Sequence, residues 1–264
     1  MHRRQFLAAS LATSAASLVQ AAQAQTPSAA GREFYQLRRY LLQSGPQAGL
    51  TERYIGDALI PALARRGMGP VGAFHLDIGP ETPVVYVLIP SHSVDALVNL
   101  DLDLARDQDF LKAADPFWSA PATAQAFIRV EASLLAAFEG WPRITPPQPP
   151  LAHGKRIFQL RTYESPSFRD HVRKVEMFQS GEFNIFQAAG FQPIFFGDML
   201  IGPRMPCLTY MLCMTDLAEM DAKWNAFRND PSWKKLSADP RYAFEPIVDN
   251  ITNLVLSPMS VSQI

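Results

Sequence analysis

Two short runs of this 264-residue chain place an arginine and a tyrosine two residues apart, each preceded by a glutamine at the same spacing: Gln36, Arg38 and Tyr40, and Gln159, Arg161 and Tyr163. Side chains alternate along a strand, so each run puts Gln, Arg and Tyr on one face and sends Tyr35 and Leu37, or Phe158 and Leu160, to the other. Beneath a helical cover such a pair can fix a carboxylate, carbonyl or enolate, with Arg as permanent charge and Tyr as donor or proton shuttle. A structural reading stands beside it. Each arginine can pair with an acid such as Glu52 or Glu176 on the following helix and tie helix to sheet, the common fate of buried charges.

The other reactive side chains add less. His75 shares a strand face with Ala73 and Asp77, and its counterpart in the second run of the chain is Asp198. With Arg39, Arg65 and Arg66 nearby, His75 makes the first half the expected place for a working pocket. His171 stands near a helix start, and His92 and His153 lie in polar loops. No His-x3-His or Cys-x-x-Cys-His spacing is present, so no metal and no cofactor is expected; non-covalent haem through His75 or His171 is the remaining cofactor reading. Cys207 and Cys213 share one strand, about 20 Å apart at about 3.3 Å per residue, too far to bond. They read as buried thiols, with soft copper ligation alongside Met211 and Met214 as the alternative. Trp224, Phe227, Trp233 and Leu236 read as sheet-covering core, with ligand stacking as the lesser role. Gly79–Pro83 and Gly202–Pro206 read as hairpin connections, from which Arg204 can reach a partner copy or a pocket mouth.

What positions these residues is a repeat. Leu37, Arg38 and Tyr40 meet Leu160, Arg161 and Tyr163 at an offset of 123, and Gly67, Pro70, Ile78, Gly79 and Pro80 meet Gly190, Pro193, Ile201, Gly202 and Pro203 at the same offset. A gapless match over that distance signals duplication. The register reads as slipping by one at Tyr86 and Tyr210, then recovering at Asp107 and Asp230. Periodicity predicts strands over 34–41 and 157–163, then amphipathic helices through Leu50, Tyr54, Ala58, Leu59, Ala62 and Leu63 and through Val175, Phe178, Glu182, Ile185, Phe186 and Ala189. Gly67 and Gly190 stand where helix-ending glycines belong. Further strands are expected over 71–78, 84–89 and 126–137, and over 194–201, 208–214 and 245–256, with second helices over 93–113 and 216–236. The order β-α-β-β-α-β makes the fold class α+β: two tandem ferredoxin-like units, 32–141 and 156–264, packed sheet to sheet across a proline-rich linker, 142–155.

The N-terminus reads as a signal peptide over 1–24, followed by a short linker over 25–31: Arg3 and Arg4 precede Phe6 and Leu7, a weakly apolar small-residue run follows, and Ala22-Gln23-Ala24 offers a cleavage site. The paired arginines match a twin-arginine signal, so the twin-arginine export machinery is an expected partner and the periplasm or exterior the expected location; an ordinary secretory signal is the alternative. The formal charge of −1 carries no footprint for nucleic acid, and no stretch is long and apolar enough for stable membrane insertion.

Gln159–Tyr163, Val175–Phe178, Gly197 with Leu200–Pro203, Leu208–Met211 and Asp230–Leu236 together resemble the bacterial NIPSNAP pattern, and Leu37–Tyr40, Ala64–Gly67, Pro70–Phe74 and Ala136–Pro142 fit the same exported tandem type. The resemblance implies a dimeric α/β-barrel architecture, here within one chain; a homo-oligomer is a further expected partner. It brings no established reaction. Two functions stay open: a pocket between sheet and helices, with Arg38, Tyr40, His75, Arg161 and Tyr163 as candidate residues, that binds or transforms a small organic ligand, or a non-catalytic periplasmic module serving assembly or protein contact.

Overall fold

The computed structural model describes residues 31–149 and 155–264. The expected signal peptide, with Arg3, Arg4 and Ala24, lies outside these residues, as does His153. The first half runs β1 (Phe34–Leu41), α1 (Pro46–Arg53), a π-helical turn (Tyr54–Leu59), α2 (Ile60–Arg65), β2 (Gly72–Ile78), β3 (Val84–Ser91), α3 (Val94–Val98), α4 (Leu100–Leu104), α5 (Gln108–Trp118) and β4 (Arg129–Ala137). The second runs β5 (Ile157–Glu164), α6 (Phe168–Met177), a π-helical turn (Phe178–Glu182), α7 (Phe183–Ala188), β6 (Gln192–Ile201), β7 (Cys207–Met214), α8 (Leu217–Asn229), α9 (Pro231–Ser237), α10 (Phe244–Ile247) and β8 (Asn250–Pro258).

Eight antiparallel strands close a barrel in the order β1-β3-β2-β8-β5-β7-β6-β4. Each half contributes four neighbouring strands, and the halves join where β2 pairs with β8 and β4 with β6. Closure leaves no free sheet edge. The alternation read in the sequence sorts the two faces: Tyr35, Leu37, Phe158 and Leu160 join the cluster that fills the barrel, whereas Tyr40 and Tyr163 join the clusters beneath the helices. Tyr35 meets Phe195 and Phe74 meets Phe158 edge to face inside the barrel, at 5.2 and 4.8 Å between ring centroids, so aromatic contacts cross from one half to the other.

Local chemistry explains the boundaries. Ser93, Asp107, Ser167, Asp216 and Asp230 each accept a backbone N–H at a helix start; Asp107 and Asp230 do so within the expected second helix of each half and start a new helix there. Gly67 and Gly190 take φ of 68° and 80° and end the first helices as anticipated. The fourth strands start later than expected, at Arg129 and Asn250, the second because Phe244–Ile247 is a helical turn. The linker docks on the barrel: Thr145 N–H donates to the Ile194 carbonyl at 2.8 Å and Ile144 N–H to Glu33 at 2.8 Å. Among the described residues no helix is long and apolar enough to cross a membrane.

The register between halves differs from the expected one at the third strands. Arg38 stands opposite Val87 and Arg161 opposite Tyr210, so the offset of 123 persists through β3 and β7. Tyr86 therefore points into the barrel and Tyr210 under the helices. A one-residue slip would turn every side chain of the strand to the wrong face, so the Tyr86–Tyr210 match is a coincidence of composition.

Candidate functional site

In the first half, β1 presents Arg38 to the helical layer, 4% exposed, and its donors are taken. Nη2 donates to Asp101 at 2.8 Å and Nε to Gln36 at 2.6 Å, while Gln36 donates to the Leu97 carbonyl at 3.1 Å. Arg38 thus ties β1 to α3 and α4. The acid is Asp101, not Glu52: Glu52 meets His75 Nε2 at 2.9 Å, and Glu176 meets Arg241. His75 is drawn to α1, away from Arg38, and the nearby cations are also paired, Arg39 with Glu81 and Glu131, Arg65 and Arg66 with Asp107. Tyr40 is buried in ring contact with Tyr54 and Phe117. The expected cationic pocket with a titratable neighbour is not assembled from these residues.

The second half differs at the matching positions. Arg161 donates to the Tyr163 hydroxyl at 3.1 Å, and that hydroxyl lies 2.8 Å from the Tyr210 hydroxyl. At the offset of 123, Trp224 replaces Asp101, and the Arg161 guanidinium lies 4.3 Å from the Trp224 ring centre. Among the described residues no carboxylate stands within ion-pair distance of Arg161. Trp224 Nε1 in turn donates to Gln159 at 2.7 Å, which fixes the indole plane.

Below this lies an ion pair that the sequence reading did not find. Lys174 Nζ and Glu182 Oε2 are 2.7 Å apart with both side chains buried. Burial lowers the Lys174 pKa and raises that of Glu182, and each partner opposes the shift of the other. Burial likewise raises the Tyr163 and Tyr210 hydroxyls above the ordinary phenol value, so both stay protonated at neutral pH. The kink between them makes the pair: Gly181 takes φ 170° and ψ −20° inside Phe178–Glu182, which breaks the helical phase and brings Glu182 to Lys174, eight residues earlier. Counted from the start of each π-helical turn, Leu50 and Ala58 occupy these positions in the first half. One signal was present in the sequence. Glu182 stood inside an otherwise apolar stripe, and a carboxylate on a core face needs a buried partner.

Arg161, Tyr163, Glu182, Trp224, Phe227, Arg228, Trp233 and Ile251 line a cavity of about 360 Å³. Trp224, Phe227 and Trp233 form a connected aromatic wall, with ring centroids 5.3 and 4.7 Å apart in sequence. Of the five candidate residues, the structure brings Arg161 and Tyr163 together on a cavity, holds Arg38 and Tyr40 in packing, and sets His75 apart.

Every one of these lining residues falls in one matched segment. Residues 158–263 match the model of the NIPSNAP family. The match does not extend to the first half, which shares the topology. Whole-chain likeness comes from solved structures: a monooxygenase-like protein from Lactobacillus acidophilus at 10% identity, covering 86% of this chain and 94% of that one with a TM-score of 0.56, and a second from Fusobacterium nucleatum at 9% identity, 87% and 94% covered, TM-score 0.56. At those identities the likeness is one of fold. A NIPSNAP-like domain protein from Burkholderia xenovorans aligns at 18% identity over 41% of this chain and 89% of its own, TM-score 0.37. Comparison with curated proteins finds no match.

Elsewhere, His171 and Asp198 are 2.6 Å apart and clasp α6 to β6 as Glu52 and His75 clasp α1 to β2, with the roles exchanged. Cys207 and Cys213 are free, buried thiols in the barrel cluster, pushed by burial up to about 11 and about 12. Arg204, at φ 63°, pairs with Glu164 at 3.0 Å and borders a hollow of about 170 Å³ at one end of the barrel.

Proposed function

We propose that this is an exported protein whose NIPSNAP domain binds or transforms a small organic molecule in the cavity beside Arg161. The carrying observation is Arg161 itself: a permanent cation over the Trp224 ring and bonded to Tyr163, with no described carboxylate in ion-pair range, on the wall of a cavity of about 360 Å³. The volume falls near the lower end of small-ligand sites, about 300–1,000 Å³. Arg161 and the Tyr163–Tyr210 hydroxyl pair offer a fixed charge and neutral donors to a ligand oxygen, a set suited to holding a carboxylate, carbonyl or enolate. The two arginines at positions 3 and 4 and the Ala22–Ala24 site support export by the twin-arginine route to the periplasm. On this reading 32–141 and 156–264 are duplicated copies: the first became a packed support, and the second kept the pocket.

The test is a titration of tryptophan fluorescence with neutral and charged, aromatic and aliphatic probes, on the wild type and on Ile251→Trp, which fills the cavity. Binding that the filled variant loses supports the pocket. A correctly folded wild type that binds none of the probes removes it.

A second reading, a non-catalytic interaction module, draws on Phe168 and Val172, one turn apart on α6 and 68% and 64% exposed. Their replacement by Ser would then abolish a self-association or partner contact that cavity filling leaves intact.

A further inference from the structure

We propose that the cavity selects a planar aromatic monocarboxylate, with the carboxylate on Arg161 and the ring against Trp224, Phe227 and Trp233. This rests on the pocket reading above and adds the chemical class of the ligand.

Charge comes first. The groups on the described wall that carry charge at neutral pH are Arg161, Glu182 and Arg228. Glu182 is closed by Lys174 at 2.7 Å, and the two form a pair of no net charge. Arg228 sits at the exposed rim, where it donates to Asn225. Arg161 is left as a partly buried cation with no described acid in ion-pair range, and it cannot escape the cost by losing its proton. Tyr163 takes a bond from Nη2, while Nε is buried without a hydrogen-bond partner among the described residues. A ligand carboxylate supplies both the missing charge and acceptors for a guanidinium fork.

Shape and number follow. The aromatic wall, with the Arg161 guanidinium 4.3 Å from the Trp224 ring centre, favours a flat ring over a chain. About 360 Å³ limits the ligand to one or two fused rings. Arg161 calls for one anionic partner, and Arg228 stands at the solvent-exposed rim, so a second negative charge would be desolvated without a partner of its own and dicarboxylates and phosphate fit worse than a monoanion.

The experiment titrates the full chain with 2-naphthoate, its neutral isostere naphthalene-2-carboxamide, cyclohexanecarboxylate, phthalate and inorganic phosphate. Tryptophan fluorescence and calorimetry are read on the wild type, Arg161→Met, Arg161→Gln and Ile251→Trp. Naphthoate is expected to bind at least tenfold tighter than the carboxamide, cyclohexanecarboxylate and phthalate. Either Arg161 variant should lower naphthoate affinity at least tenfold and remove most of its preference over the carboxamide. The comparison of naphthoate with its amide needs no mutation, so it decides the matter even where a variant fails to fold. Equal binding of naphthoate and carboxamide, both lost in Ile251→Trp, would overturn the charge selection and leave the pocket standing. Tighter binding of phthalate, phosphate or cyclohexanecarboxylate would overturn the class. No binding of any probe would sink the inference and the pocket together.

Discussion

Trp224 lies 4.3 Å from the Arg161 guanidinium at the position where, in the other half, Asp101 closes on Arg38 at 2.8 Å. One exchange between duplicated copies thus turns a satisfied structural arginine into one without an acid. It predicts unequal mutational costs. Arg38→Met removes charge-assisted bonds to Asp101 and Gln36 and should destabilise the fold by about 2–3 kcal/mol, moderated because Asp101 is exposed and can return to water. Arg161→Met should cost less than about 1 kcal/mol, since a buried cation goes with the bonds it made. Urea unfolding of the two variants side by side measures this, and equal costs would contradict the assignment of structural and ligand-facing roles.

The Lys174–Glu182 pair should behave as a unit. Removing either charge alone, by Lys174→Met or Glu182→Leu, strands the other in an apolar layer and should cost about 3–5 kcal/mol. The double variant should recover a coupling of about 2 kcal/mol or more in a double-mutant cycle at pH 7. Additive losses would mean that the two side chains do not depend on each other.

Much of the fold was legible in the residues. The alternation in Phe34–Leu41 and Ile157–Glu164 and the offset of 123 gave the strands, their two faces and the doubling. The Tyr86–Tyr210 register was misread because one matching residue type outweighed the face pattern around it. The site was legible in part. Arg161 and Tyr163 stood out by spacing, but which copy held a cavity depended on Asp101 and Trp224, far along the chain and on the second helical layer. The partner of Glu182 was hidden for another reason: the kink at Gly181 changes the phase of the helix, and a regular 3.6-residue period then sets Lys174 on the wrong face.

Export gives a test independent of the barrel. Changing Arg3 and Arg4 together to Lys should leave the precursor in the cytoplasm, because twin-arginine recognition needs the arginine pair whereas an ordinary secretory signal needs positive charge. Cell fractionation of a tagged chain reads the result. Export at the wild-type level would remove the twin-arginine route.

The last prediction concerns closure. Each half alone, 32–141 or 156–264, would keep its β-α-β-β-α-β order but lose both seams, leaving the backbone groups of β2 and β4, or of β6 and β8, unpaired along two edges. It would also expose one wall of the barrel cluster: Tyr35, Leu37, Phe74 and Leu88 in the first half, Phe158, Leu160, Phe195 and Met211 in the second. Burying a side chain of this size contributes about 1.5–3 kcal/mol, so four of them outweigh the about 5–15 kcal/mol net stability of a domain in some cases and rival it in most. Neither half should therefore persist as a soluble monomer. Two copies of one half can restore both seams by symmetry, pairing β2 with β4 of the other copy, so the expected outcome in size-exclusion chromatography with light scattering is a dimer or an aggregate. A monomeric half with a cooperative unfolding transition would show that the barrel seams are dispensable, and that the two units are independent domains resting against each other.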